Sequence, residues 1–148
     1  GLVAALEIQL REFAARSEIK VVDRLEPVDV TPAAQLTIYR LVQEALTNVV
    51  KYAKANEVVV TLSRAPDGGA VVSVRDNGIG FDTDLPRLER HGLLGMRYRV
   101  EAEGGTMRLS SKPGEGTLIE ATLPAQPASD DGHHDQDGGA DVPLAAAA

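Results

Sequence analysis

Four polar side chains share one face of a predicted helix in the first third of the chain. Glu44, Lys51 and Tyr52 lie four residues before, and three and four residues after, Asn48. Residues at these steps lie above one another on a helix, so a carboxylate, an amide, an ammonium and a phenol could bind one ligand. A solvated helix face explains the same pattern, because polar residues commonly cover the side of a helix that faces water.

A glycine-rich segment follows a valine-rich predicted strand. It spans residues 76–81 (DNGIGF), and Asp76 stands at the end of the strand. An ionised carboxylate can accept from an exocyclic amine such as that of adenine, and glycines expose backbone amides that suit phosphate oxygens. A tight Asp-Asn-Gly turn without a ligand is the alternative. The segment is neither a Walker lysine loop nor a dinucleotide fingerprint.

Two further segments carry glycines at predicted element boundaries. Residues 91–96 (HGLLGM) precede a predicted helix, whose N-terminus would stabilise an anion. Residues 114–117 (GEGT) form a turn into the last predicted strand, where the Thr117 hydroxyl can donate or accept. Each segment alone is compatible with an ordinary turn.

The remaining pattern predicts the elements that position these residues. Apolar residues at helical spacing predict helices at 2–16, from the Thr31-Pro32 start to 53, and at 93–103. Predicted strands cover 19–25, 58–63, 70–74, 106–111 and 117–123, with a loop between residue 76 and the last helix. Two hairpins among helices predict an α/β two-layer sandwich, with a mixed, mostly antiparallel sheet covered on one face by helices.

Composition limits the partners. The 148 residues are 43% hydrophobic and 25% charged, as in one globular domain, and no apolar run approaches the length of a membrane helix. The net charge is −7, but five aspartates from residue 126 onward account for most of it, so the rest is nearly neutral. A near-neutral body does not favour nucleic acid or an anionic membrane. The absence of cysteine is typical of a reducing compartment, and we expect a cytoplasmic location.

In this order the segments resemble the asparagine and glycine boxes of the GHKL ATPase superfamily, and within it the catalytic domain of sensor histidine kinases. The four matching segments are 44–53 (EALTNVVKYA), 76–81, 91–96 and 114–117. The GLLGM form is similar to kinases of the nitrate-response type, which have a short lid over the nucleotide. The resemblance spans about residues 2–124 and implies the Bergerat ATP-binding fold.

The resemblance also implies roles for single residues. Asn48 would ligate the Mg²⁺ that bridges the ATP phosphates, and Asp76 would accept from the adenine amine, supported by Thr117. Glu44 would orient a water on the metal or act as a base. The remaining predicted nucleotide contacts are Lys51 at phosphate, Tyr52 at adenine or ribose, and Gly78, Gly80, Gly92, Leu93, Gly95 and Met96 around the nucleotide. Tyr52 departs from the histidine common at its position in this class.

In the whole protein, the resemblance implies transfer of the ATP γ-phosphoryl to a histidine on an upstream dimeric helical hairpin, then to a response regulator. His91 is the first histidine of the chain, so this fragment is not expected to phosphorylate itself. We expect the fragment to be monomeric and the full-length kinase to be a homodimer. The expected cytoplasmic location is compatible with the cytoplasmic part of a membrane-bound sensor. The predicted division is an upstream helical segment (1–16), the ATPase domain (17–125) and a disordered acidic tail (126–148).

Three alternatives stay open. An ATP-hydrolysing clamp of the same superfamily would use Glu44 to activate water, and a serine kinase of the anti-sigma type would share the fold. A degenerate domain would serve only as a protein-interaction module. For His91, contact with a phosphate and an exposed loop position without a role are both compatible with the sequence, and His133 and His134 are expected to be solvated.

Overall fold

The computed structural model describes residues 1–128, in which five strands form one sheet. The strands are β1 (Lys20–Leu25), β2 (Glu57–Arg64), β3 (Ala70–Asp76), β4 (Thr106–Ser111) and β5 (Thr117–Leu123). Their order in the sheet is β1-β2-β3-β5-β4; β1 is parallel to β2, and the other neighbours are antiparallel. The prediction of a mixed, mostly antiparallel sheet is confirmed.

The helices are α1 (Leu2–Ser17), α2 (Pro32–Asn48), α3 (Leu85–Arg90) and α4 (Leu93–Ala102). The predicted cap of α2 is present: the Thr31 side chain accepts from the Ala34 amide at 3.1 Å, and Pro32 stands at the first helical position. The sequence predicts one helix to residue 53, but the last five residues form a π-helical turn, Val49–Ala53. Such single wide turns occur often at functional sites.

One face of the sheet packs against the helices and forms the core. Alternate residues of the neighbouring interior strands β2 and β3, such as Val58, Val60, Val72 and Val74, are buried on this face, as the period-two pattern predicts. Helices α1, α2 and α4 each add buried residues to the same apolar cluster. Among residues 1–128, all four helices contribute to this one cluster, and the end of α2 lies close to the end of β3.

Helix α1 belongs to this core. Its stripe of Leu6, Leu10 and Phe13 is at most 3% exposed and lies in the cluster that α2 and the sheet share.

The division of the chain at residue 16 stays a prediction, and so does the acidic tail. The tail lies almost wholly outside the described residues, as do His133 and His134. Of the tail's first residues, Gln126 donates its amide to the Asp29 carbonyl at 2.7 Å. Within residues 1–128, no helix has the length and apolar character needed to span a membrane.

The prediction of an unbroken loop before residue 93 was wrong, because α3 forms there. The Asp84 carboxylate accepts from the Arg87 amide at 2.9 Å and Pro86 stands in the first turn, which are the usual signals of a helix start. The six-residue helix shows little amphipathic pattern, since it buries only Leu88. Its capping residues were the available signal.

Candidate functional site

A cavity of about 260 Å³ lies where the end of α2 and the π-helical turn meet the ends of β3 and β5, and α3 contributes to its wall. Six of the residues predicted from the sequence line it. They are Asn48, Tyr52, Asp76, Gly80, Leu93 and Thr117. Apolar side chains from α2, the π-helical turn and both strands make up much of the remaining wall. The cavity thus combines a mostly apolar wall with a few polar groups, as ligand pockets commonly do.

Asp76 is the buried acid of this cavity. It is 8% exposed at the end of β3 and pairs in register with Thr117 of β5. Burial raises the pKa of the Asp76 carboxyl, while hydrogen bonds from the backbone amides of Gly78 and Thr117 act in the opposite direction. The Gly78 amide donates to Oδ1 at 2.8 Å. A carboxylate held in this way is a fixed acceptor for a donor inside the cavity.

The glycine loop, residues 77–81, is held between two other parts of the chain. On one side the Ile79 amide donates to the Ala53 carbonyl of the π-helical turn at 2.8 Å. A Cβ on Gly78 would overlap that same carbonyl oxygen. On the other side, a Cβ on Gly80 would overlap the Lys112 carbonyl of the β4–β5 turn, and Gly80 has a φ of 66°. Close approach of other backbone segments of the chain therefore requires glycine at these two positions. The sequence analysis expected them to make room for the nucleotide, and that role stays a prediction.

Ser111 is a positioning residue that the sequence did not indicate. Its hydroxyl accepts from the Phe81 amide at 3.0 Å and lies 2.8 Å from the Thr117 hydroxyl. It also lies within hydrogen-bond distance of the Gly116 carbonyl, at 3.1 Å. Ser111 therefore joins the glycine loop to the strand that carries Thr117. A lone serine at a strand end gives no sequence signal for such contacts.

Helix α3 together with His91 and Gly92 forms the lid segment, residues 85–92. The Asn48 amide nitrogen donates to the His91 carbonyl at 2.8 Å. The His91 ring stacks on Tyr52 with centroids 3.9 Å apart and an interplanar angle of 7°, and the Phe81 ring lies 4.6 Å away. His91 is 7% exposed, which excludes the alternative of an exposed loop position, because two aromatic rings pack on it. Burial, and then the charges of Arg90 and Arg87, lower the pKa of the His91 imidazole.

Two arginines of the lid segment line the cavity and were missed, because their helix was predicted as a loop. Arg87 lies 3.4 Å from an Asp82 oxygen and 3.7 Å from an Asp84 oxygen. Arg90 has no carboxylate within 4.0 Å among residues 1–128. Guanidinium groups in the wall of the cavity favour an anionic ligand beside them.

Six other predicted site residues lie outside the cavity wall. Lys51 points to a separate groove between α1 and α2. Glu44 packs close to Gly92, where an added Cβ would lie 3.1 Å from its Oε2 atom. Met96 is buried in the core, whereas Gly95 lies in α4 and Gly78 against the π-helical turn.

Within the described residues, no three His, Cys, Asp or Glu side chains are grouped so that they could hold a metal ion.

Comparison with known families gives one match over most of the described chain. Residues 33–127 match the family described as "Histidine kinase-, DNA gyrase B-, and HSP90-like ATPase". The nitrate/nitrite sensor protein NarQ of Escherichia coli is 38% identical over 96 residues, which are 65% of this chain and 17% of that protein. The sensor histidine kinase LiaS of Bacillus subtilis is 32% identical over 127 residues, 86% of this chain and 35% of that protein. The chain therefore spans only a minor part of either relative.

Solved structures agree with the sequence relatives. The histidine kinase domain of a blue-light activated histidine kinase from Erythrobacter litoralis superposes with a TM-score of 0.72 at 26% identity, covering 84% of this chain and 61% of that one. The mycobacterial sensor histidine kinase MprB superposes with a TM-score of 0.65 at 20% identity, covering 85% and 97% of the two chains. The second likeness supports the fold alone.

Proposed function

Because the chain belongs to the histidine kinase-, DNA gyrase B- and HSP90-like ATPase family, we propose that it is the ATP-binding catalytic domain of a sensor histidine kinase. In the whole protein it would donate the γ-phosphoryl of ATP to a histidine of an upstream dimerisation domain, for relay to a response regulator. The observation that carries the proposal is the cavity itself, which joins a buried acid, Asp76, to an amide, Asn48, and to two lid arginines.

Asp76 would recognise the base. Its carboxylate is a buried acceptor held by backbone amides, and adenine presents an exocyclic amine as donor. Guanine presents a carbonyl oxygen at the corresponding position, which would face the carboxylate without a proton between them. A cavity of about 260 Å³ with apolar walls suits a base, while the sugar and phosphates would extend towards its open side.

Asn48, Arg87 and Arg90 would bind the phosphates and the metal. The Asn48 amide uses its nitrogen at His91, which leaves Oδ1 as an oxygen ligand of the kind that Mg²⁺ prefers. One protein oxygen is a sufficient protein contribution because Mg²⁺ commonly takes its other ligands from substrate phosphates and water. When bound, Mg²⁺ would neutralise charge on the phosphates. Arg87 and Arg90 would add positive charge on the lid side, so this chain contributes mainly orientation and charge neutralisation to transfer.

Further contacts with the nucleotide are proposed from the residues that line the cavity. Tyr52, Leu93, Gly80 and Thr117 line the cavity and would border the nucleotide. Lys51 lines the groove between α1 and α2 and not the cavity, which gives no support to its predicted contact with a phosphate. Glu44 packs beside Gly92 and does not line the cavity, which gives no support to a role as the water-activating base of a hydrolysing clamp.

Calorimetry of nucleotide binding tests the proposal. ATP and GTP would be titrated, with and without Mg²⁺, into the unchanged protein, Asp76→Asn and the matched control Asp23→Asn, which makes the same change at an exposed position of β1. We expect ATP to bind in preference to GTP, and Asp76→Asn to weaken ATP binding roughly 10- to 100-fold, as loss of a charged hydrogen bond does. Equal ATP affinity in Asp76→Asn and Asp23→Asn would contradict the assignment of the base pocket.

A further inference from the structure

We propose that His91 is a positioning residue of Asn48, whose amide would bind the metal. The contacts of His91 with Asn48 and with Tyr52 form a tie that holds the lid segment to α2. This inference rests on the proposed function for the role of the Asn48 oxygen. The tie itself can be tested in the protein without nucleotide. One amide would thus serve both the metal and the lid.

The hydrogen bond fixes which way the amide faces. A carbonyl oxygen can only accept, so the group that Asn48 presents to the His91 oxygen at 2.8 Å must be its NH₂. The Oδ1 atom is then directed away from the lid segment, and Asn48 lines the cavity. Without the His91 oxygen, the amide could rotate by half a turn and present its donor to the metal side. The His91 main chain therefore orients the side chain that would ligate Mg²⁺.

The His91 oxygen is available for this contact because of where the lid segment turns. The amides of His91 and Gly92 donate back to the carbonyls of Arg87 and Glu89, each at 3.0 Å, and so end α3. Gly92 then has a left-handed φ of 71°, which lets the chain turn into α4. The His91 carbonyl lies between the two helices and reaches across to α2.

The ring of His91 makes the second contact of the tie. Its stack on Tyr52 joins the lid segment to the π-helical turn, and Phe81 closes the other approach to the ring. Main chain and side chain of one residue thus contact Asn48 and Tyr52, which are one helical turn apart. The two contacts act in the same direction, since both hold α3 close to the end of α2.

An aspartate at position 48 could not do both tasks. It would keep an oxygen ligand for a metal, but it has no proton to donate and would repel the His91 carbonyl oxygen. An amide at position 48 can both donate to the His91 carbonyl and offer an oxygen to the metal, whereas a carboxylate, the stronger metal ligand, can do only the second.

Hydrogen exchange of residues 85–92, measured on the full chain without nucleotide, tests the tie. In Asn48→Asp we expect exchange of the lid segment to accelerate about tenfold, as loss of a hydrogen bond with an unsatisfied partner predicts. The matched control is Gln43→Glu, the same chemical change at an exposed position of α2 outside the cavity. His91→Ala should also accelerate exchange, whereas His91→Phe should restore most of the protection because it keeps a stacking ring.

The outcomes separate the tie from the proposed function. If Asn48→Asp and Gln43→Glu leave lid exchange equally unchanged, or if His91→Phe exchanges as fast as His91→Ala, the tie is overturned. If exchange is faster in Asn48→Asp but the unchanged protein binds no ATP, the result would support the tie and contradict the proposed function. If both hold, Mg²⁺-dependent ATP binding should persist in Asn48→Asp and be lost in Asn48→Ala; loss in both would overturn the dual role.

Discussion

Replacing Gly80 by alanine should destabilise the domain through two separable effects. Gly80 has a φ of 66°, a conformation that costs an L-residue roughly 1–2 kcal/mol. In addition, the new Cβ would overlap the Lys112 carbonyl oxygen and lie 3.0 Å from the Gly116 oxygen. Both atoms are backbone, so they can yield only if the β4–β5 turn moves, and overpacking of this kind costs roughly 1–3 kcal/mol more.

Gly114 offers a matched control in that same turn. Its φ is 86°, and an added Cβ would have no atom within 4 Å. Gly114→Ala therefore carries the conformational cost without the overlap. We expect Gly80→Ala to lose about 1–3 kcal/mol more free energy of unfolding than Gly114→Ala.

Urea unfolding followed by circular dichroism would measure both free energies, and calorimetry would measure ATP binding. Gly80 lines the cavity and Gly114 does not, so only Gly80→Ala should also weaken nucleotide binding. Equal losses of stability in the two variants would refute the reasoning, because they would mean that the turn does not press on the glycine loop.

Two further predictions concern the buried acid and the first helix. Because burial raises the pKa of Asp76, its contribution to stability should be fully present at pH values below the ordinary aspartate pKa and be lost as pH rises through the raised one. Denaturant unfolding from acidic to neutral pH should thus show the unchanged protein losing stability relative to Asp76→Asn, and a difference that is constant or of opposite slope would contradict this. Leu6→Ala should cost roughly 2–5 kcal/mol, since Leu6 is 0% exposed. Ile8→Ala, at a side chain 51% exposed on the same helix, should change stability by about 0.5 kcal/mol or less. Equal, small effects of these two would support the predicted division at residue 16.

The sheet could be predicted from sequence because its signals are local. The predicted strands 106–111 and 117–123 coincide with β4 and β5. Alternating residues lie within them, and a glycine-rich turn separates them. The Thr31-Pro32 start of α2 is equally local. Short-range patterns of this kind depend on the chain's own geometry and need no partner.

Parts of the site could not be predicted because distant segments determine them. His91 is buried by Tyr52 and Phe81, which only the folded chain brings to it. Ser111 acquires its role from the Phe81 amide, far away in sequence. The π-helical turn follows an uninterrupted helical pattern, and no residue in it marks the change. By contrast, the family resemblance identified Asn48, Asp76 and Thr117, which line the cavity.

The pairing of β3 with β5 has a consequence for the order of folding. The hairpin of β2 and β3 joins neighbouring segments and can form early, as can that of β4 and β5. The pairing of Asp76 with Thr117 instead joins the two hairpins across the whole of α3 and α4. Closing so long a loop is slow, so the two sides of the cavity meet only when the sheet is nearly complete. A partly folded chain would therefore have no nucleotide site, and added ATP would stabilise only molecules that have finished folding.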